Sequence, residues 1–441
     1  MPVGRRTRGR WLRAQQKAED RVVLKPVASW EYEAGMEARP RQCILATVLT
    51  VRATITAALT LVVLTGLPGC SLGDDDSVSP APQLGTKSDD KKAVVKLGFP
   101  SSATKNTIRV GGADAASDAA GVASAVFPST GSSNRPTAVV LVDKDDWQAG
   151  VTASVLAARP IGAPLLVSDG GDLSAVSQDT LKKLKPTGSD LSKDAQVIRI
   201  GDKPARPDGY KTAVLEGKDP YERAAAIDRF FSAARGKPSA NVVVTSGEQS
   251  EFAMPAAAWA GRSGDSILLS KKDEVPAATK KAIGAHSDPS IYVLGPPSVV
   301  SEKAVAELSK LGKVTRIQGK TPVTNAISFA RFQKKGFGWG VVVPGYNFTV
   351  AGTSRPLDAA ASAALATRGV FAPLLLTDKA KTVPKPLEQY LLSVQPGYED
   401  DPGQAVYNRV WILGDDKQLS LAAQARLDQV TELIPVQANS P

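Results

Sequence analysis

The side chains in this sequence that could do chemistry are mostly arginines set beside short apolar runs. Arg109, Arg199, Arg223 and Arg316, with Lys320, fall near strand-like ends or helix-like starts. A guanidinium matches the oxygens of phosphate or carboxylate in pairs, and a helix N-terminus adds backbone donors, so this set suits holding a polyanion. Bond-breaking chemistry has much less to work with. General-base or nucleophilic catalysis needs a histidine or a perturbed acid beside the nucleophile. The single histidine, His286, sits in Gly284-Ala285-His286-Ser287-Asp288-Pro289, a loop in which it is expected to be solvated. Asp143, Asp145 and Asp146 lack the glycine and distal glutamate of a calcium loop and read as acids at a helix N-terminus. Gly111-Gly112 lacks the third glycine and the spacing of a dinucleotide turn, and no phosphate-binding Gly-x-x-x-x-Gly-Lys string is present. The expectation is a non-enzyme with no cofactor and no metal site.

The N-terminal part carries a different message. An apolar stretch, Ala53 to Leu64, follows Arg52 and leads into Leu67-Pro68-Gly69-Cys70, the layout of a secretory signal ending in a lipobox. Cleavage before Cys70 would leave one cysteine, acylated, so that no intramolecular disulfide forms and the membrane is a partner through the lipidated Cys70. The basic string Arg5 to Arg10 is read as lying upstream of a later start, at Met36 or beyond, and not as a nucleic-acid arm. Of the formal charge of +10, most is local, since residues 1–69 hold eleven Lys and Arg against five Asp and Glu. The remainder holds 43 against 39, which permits an anionic ligand without demanding one. Residues 70–104, with Asp74-Asp75-Asp76 and scattered Ser and Pro, read as a flexible tether.

Positioning those arginines falls to a repeat. Ala163-Pro164-Leu165-Leu166-Val167-Ser168 returns as Ser266-Ile267-Leu268-Leu269-Ser270 and as Ala372-Pro373-Leu374-Leu375-Leu376-Thr377, at steps of 103 and 106 residues. A second landmark is read at Val139–Val142, Val242–Thr245 and Val341–Pro344, a third at Arg109–Gly112, Val214–Gly217 and Arg316–Gly319, and a fourth at Ile198–Gly201, Tyr292–Gly295 and Trp411–Gly414. Four landmarks in one order, three times, define a tripled unit of about 100 residues. In the second copy, strands at 242–245, 267–269 and 291–294 alternate with helices at 252–259, 276–283 and 301–311. Near-continuous apolar strands indicate parallel sheets covered on both faces, and the Leu-Leu strand is expected at the centre of each. Leu419, Ala423, Leu427 and Val430 line a final helix in the third copy, whereas Asp202 to Gly209 leaves no room for one in the first.

Arg109-Val110-Gly111-Gly112-Ala113-Asp114, the string Asp219-Pro220-Tyr221-Glu222-Arg223 running into Ile227, the Leu-Leu strands and Tyr292-Val293-Leu294-Gly295 together resemble the type 2 cell wall-binding repeat. The resemblance covers about residues 105 to 437. It implies three Rossmann-like α/β modules with parallel sheets, packed about a pseudo-threefold axis, that attach noncovalently to an anionic polymer of the Gram-positive wall. On that basis the contacts expected with polymer are Arg109, Asp114, Arg199, Asp219, Tyr221, Arg223, Arg316 and Lys320. The family's Gly-x-Asp-Arg-Tyr-like opening survives as Asp114 in the first copy and as Asp219 and Tyr221 in the second. The third has Gly319-Lys320-Thr321-Pro322.

The expected organisation is an N-terminal extension and lipoprotein signal peptide at 1–69, the tether at 70–104, and self-contained repeats at 105–211, 212–313 and 314–437. The expected protein is a non-enzymatic surface protein, lipid-anchored to the outer face of the membrane and associated with the wall. A lipoprotein solute-binding receptor and a regulator of a wall hydrolase are the rival readings.

Overall fold

A computed structural model describes residues 102–369 and 372–436. The expected signal peptide, Cys70 and nearly all of the expected tether lie outside the described residues. After a short β1 (Ser102–Ala103), the first copy runs β2 (Thr107–Val110), α1 (Ala115–Val126), β3 (Val139–Asp143), α2 (Trp147–Ala153), β4 (Leu165–Ser168), α3 (Ala175–Leu184) and β5 (Val197–Ile200). The second runs β6 (Thr212–Leu215), α4 (Pro220–Arg235), β7 (Asn241–Ser246), α5 (Ser250–Ser263), β8 (Ser266–Ser270), α6 (Ala277–Ile283), β9 (Ser290–Leu294) and α7 (Glu302–Leu308). The third runs β10 (Lys313–Ile317), α8 (Pro322–Arg331), β11 (Asn347–Gly352), α9 (Pro356–Ala364), β12 (Leu374–Thr377), α10 (Lys385–Ser393), a short β13 (Gly397–Tyr398), β14 (Arg409–Leu413), α11 (Leu421–Val430) and β15 (Ile434–Pro435). The fold class is α/β with parallel sheets, as the strand chemistry indicates.

The three main sheets are ordered β4-β3-β5-β6, β8-β7-β9-β10 and β12-β11-β14-β2-β1, and only β1 is antiparallel. These orders correct one expectation. The repeats are not self-contained, because the opening strand of each is paired in the sheet of the copy before it. Strand β6 completes the first sheet and β10 the second. The third sheet takes β2, from the beginning of the first copy, with Arg109 opposite Ile412 and Val110 opposite Leu413. Strand pairing therefore closes the chain into a three-part ring.

Helices α2, α5 and α9 meet at the centre of that ring. Their contact residues are small: Ala253, Ala256, Ala257, Ala258, Ala260 and Ala359 have no exposed surface. Alanine loses no side-chain entropy on burial and lets helix backbones approach closely. At Gly261 the approach is closer still, since a Cβ there would lie 2.6 Å from the Ala363 carbonyl oxygen.

Two further expectations are corrected. The Leu-Leu strands β4, β8 and β12 are fully buried, yet each is an edge strand and not the centre of its sheet. Their outer sides are covered by α1, α4 and α8 and by the central helices, which supply the apolar contacts that a second strand would otherwise give. The Val341–Pro344 run is not the core strand of the third copy. Val342 and Val343 are 54% and 53% exposed, in a connection that turns on Gly336, Gly338, Gly340 and Gly345, all with positive φ. The core strand is β11, whose Thr349 faces Leu374 as Val244 faces Leu268 and Val140 faces Leu165. The final helix of the third copy buries Ala423, Leu427 and Val430 as expected, while Leu419 is buried just before its N-cap, Ser420, and not on the helix; residues 201–211 form a loop without a helix.

Candidate functional site

The residues singled out for polymer contact gather at the C-terminal ends of the parallel strands, where α/β sheets commonly place ligands. Three of the arginines do the same structural job there. Arg109 is 3% exposed and donates from Nε to Gln424 Oε1 (2.9 Å), from Nη1 to the carbonyls of Gly414 and Asp415 (2.8 Å each) and from Nη2 to that of Leu419 (2.7 Å). Burial pulls its pKa down to about 10, still well above neutrality. Arg316 donates to the Gly295 carbonyl at 2.8 Å and reaches Glu302 at 3.1 Å. Arg199 holds the carbonyls of Pro204 and Asp202. In the strand registers Arg109 faces Ile412, Arg316 faces Val293 and Arg199 faces Val214. One register pair in every sheet thus supplies an arginine to the loop after the third strand. In the first sheet it comes from that strand itself, and in the other two from the donated strand.

The acids of the opening strings are helix caps. Asp114 accepts from Ser117 N, Asp219 from Glu222 N, and in the third copy Thr321 takes over by accepting from Thr324 N. Replacing Asp by Thr therefore preserves the cap. Asp114, Asp219 and Lys320 are exposed, while Tyr221 and Arg223 are half-buried. Burial raises the Tyr221 pKa, with Glu248 adding to it.

The position six residues after the glycine of each opening string had not been singled out, except for Arg223. Asp118, Arg223 and Asn325 occupy it and turn back to that glycine. Asp118 and Asn325 accept from Gly112 N and Gly319 N, while Arg223 donates to the Gly217 carbonyl. Two of the three also reach across a seam of the ring. Arg223 pairs with Asp146, the N-cap of α2, at 2.8 Å. Asp118 pairs with Arg355, the N-cap of α9, at 2.5 Å. The corresponding residues of the remaining seam are neutral, Asn325 and the α5 N-cap Gln249. At the Arg355 seam a second carboxylate, Asp358, also meets the guanidinium at 3.2 Å. Asp118 and Asp358 are both fully buried. Burial raises both pKa values, that of Asp358 to about 6 and that of Asp118 well above the ordinary carboxylate value, where the Asp358 charge adds to the effect.

With this geometry in view, comparison with known proteins gives a consistent result. Residues 214–305, from β6 into α7, match the family model of cell wall binding domain 2 (CWB2). The second copy is therefore similar to a CWB2 repeat. Two solved structures share the fold: Cwp6 from Clostridium difficile, at TM-score 0.59 and 20% identity over 76% of this chain and 49% of that one, and Cwp8 from Clostridium difficile, at TM-score 0.57 and 18% identity over 74% and 52%. The chain spans about half the length of either neighbour. No curated protein matches by sequence.

The CWB2-matched copy also contains His286, and its placement is a correction. The ring is buried, with Nδ1 2.8 Å from the Ser239 carbonyl and Nε2 3.1 Å from Asp228. Burial is the largest influence and lowers its pKa, but the hydrogen bond and charge of Asp228, the Ser239 carbonyl and the charge of Asp265 together leave the value raised. The residue ties the C-terminal end of the α6 region to α4, and both ring nitrogens are occupied in doing so. Asp146 caps α2 as expected, while Asp143 is turned inward to accept from Gly170 N and Lys203 Nζ. Among the described residues no three His, Cys, Asp or Glu side chains cluster as a metal site would require, and no helix is long and apolar enough to cross a membrane.

Proposed function

We propose that the protein is a non-enzymatic surface protein, lipid-anchored through Cys70, whose three repeats attach noncovalently to an anionic cell-wall polymer. The observation that carries the reading is the CWB2 match of residues 214–305 within a ring whose three parts share one strand order and one loop-arginine. The non-catalytic assignment is supported by the only histidine, whose two nitrogens are held by Asp228 and Ser239. Anchoring is supported by the lipobox layout alone.

Within the expected contact set we assign two roles. Arg109, Arg199 and Arg316 act on polymer only indirectly, by shaping the loops after β14, β5 and β9. Lys320 and the caps Asp114 and Asp219 are the exposed members of the set, with Lys320 meeting the polymer's charge, while Tyr221 and Arg223 are half-buried beside them and Arg223 is paired with Asp146. Salt should weaken such binding, because exposed charge is screened within about 10 Å at 0.1 M ionic strength.

The test is retention of the full-length protein on isolated cell walls, with walls stripped of anionic polymer as the control. Retention on intact walls that falls with stripping and with salt is the expected result. Equal retention on stripped walls would overturn the reading.

A further inference from the structure

A cleft of about 1090 Å³ opens between the second and third copies, at the end of the sheets opposite the loop-arginines. One wall is the C-terminal end of α4, the strand entry to β7 and the end of α5. The other is the connection between α8 and β11, residues 332–346, which the second copy replaces with the much shorter 236–240. The connection is locked in place by Phe337, whose ring stacks on Tyr292 of the second copy with centroids 3.5 Å apart and lies 4.9 Å from Trp259. Gly338 has φ near 95°, and its Cα is so close to Phe332 that a side chain would collide with that residue's backbone. The cleft is therefore a built feature of these two copies.

Its lining combines two chemistries. Trp259 and Trp339 meet edge to face at 5.4 Å, and Tyr346, 36% exposed, stands at the rim. Arg235, Lys237 and Arg262 supply positive charge. Arg235 is held in place by the Gly264 carbonyl at 2.8 Å and by the Phe231 ring at 5.8 Å. The single carboxylate of the lining, Asp265, faces inward and accepts from Ser239 Oγ and Trp259 Nε1. The indole N–H of Trp339 has no acceptor in the protein. An aromatic face offers a flat apolar contact, while arginine and lysine offer donors for an oxyanion, and binding clefts combine such a majority of apolar wall with a few placed polar groups.

We propose that this cleft binds a sugar ring bearing an anionic group, the ring against Trp339 and Tyr346 and the phosphate or carboxylate against Arg235, Lys237 and Arg262. The assignment does not depend on wall attachment. Such a saccharide could belong to a polymer or be free in solution, and the chemistry is shared.

Isothermal titration calorimetry on the full-length protein with glucose 6-phosphate as the probe, and glucose and inorganic phosphate as comparators, tests it. Saturable binding of glucose 6-phosphate is expected, with each comparator about tenfold weaker or worse, which corresponds to one lost interaction of about 1.4 kcal/mol. Lys237→Glu and Tyr346→Ala alter exposed positions and should each weaken the probe about tenfold without changing the unfolding midpoint. No saturable heat with the probe, equal binding of inorganic phosphate, or unchanged binding in both variants would each overturn the proposal. Wall retention of the same variants separates the two readings. Loss of probe binding with intact wall retention shows the cleft to be distinct from the wall contacts, and probe binding by a protein that fails to retain on walls leaves the cleft standing while the wall reading falls.

Discussion

Replacing Arg109 should open the ring at its one non-sequential seam. The guanidinium joins β2 to a loop 305 residues away, donating to Gln424 and to three backbone carbonyls. Two effects oppose each other in Arg109→Met. Removing a buried charge returns the desolvation expressed in a pKa drawn down to about 10, worth about 3 kcal/mol for two to three pKa units. Against this, each carbonyl left without a donor costs about 1–3 kcal/mol, and the bonds to a charged donor are the stronger kind. The losses win, leaving a net destabilisation of about 3–5 kcal/mol. Arg316→Met is the internal control, because Arg316 holds one loop carbonyl and an exposed glutamate; its cost should be about 1 kcal/mol. Urea unfolding of both variants gives the difference. Hydrogen exchange locates it: the Arg109 variant should lose protection at Val410 N and Ile412 N, which face β2, and keep protection in β7 and β9. Equal costs for the two variants, or protection lost evenly over the three sheets, would refute the view that Arg109 closes the ring.

Stability should fall as pH rises from 3.8 to about 6, because Asp358 holds its proton more tightly when folded than unfolded, by up to about 3 kcal/mol. The penalty is absent below the unfolded value and complete above the folded one; Asp358→Asn should therefore match or exceed the wild type at pH 7 in thermal unfolding, and a variant clearly less stable at pH 7 than at pH 4, relative to wild type, would contradict this. His286 acts in the same direction, since its raised pKa adds stability that is present below about 6.5 and lost as pH climbs through the folded value. At the ring centre, Gly261→Ala should cost about 2–3 kcal/mol by pushing a methyl group onto the Ala363 backbone, and Gly150→Ala less, because its clash is with the mobile end of Leu357. Reversed order of the two in urea midpoints would sink the close-approach argument.

The tripling, the α/β class and the parallel strands were legible because apolar runs of fixed order survive in all three copies. Boundaries between copies were not, since a strand such as Thr212–Leu215 carries no mark of which sheet will take it. The valine run at 341–343 matched the pattern better than Phe348–Ala351, the true strand, because three valines carry a strong strand preference that the flanking positive-φ glycines, Gly340 and Gly345, override. His286 looked like a loop residue by its glycine and proline neighbours, and only the fold brings Asp228 to it. At the candidate site, arginines near strand ends were recognised, but their acceptors are backbone carbonyls, which have no sequence signature. The seam residues Asp118 and Asn325 could have been found by counting six from each opening glycine, where a polar side chain recurs with a different charge each time.

The exchange of opening strands also sets an order of assembly. Residues 107–110 leave the ribosome first among the core strands, yet their partner, β14, is nearly the last to be made. Until then β11 has a bare edge where β14 will pair, and β2 has no parallel partner, the kind of exposed strand that invites pairing with another chain. Distant strand pairing is slow to form because the ends must first be brought together. The seam at Asn325 can form once residue 325 is made, and the seam of Asp118 with Arg355 about 30 residues later, both before β14 exists to receive β2. The strand synthesised first is the strand placed last.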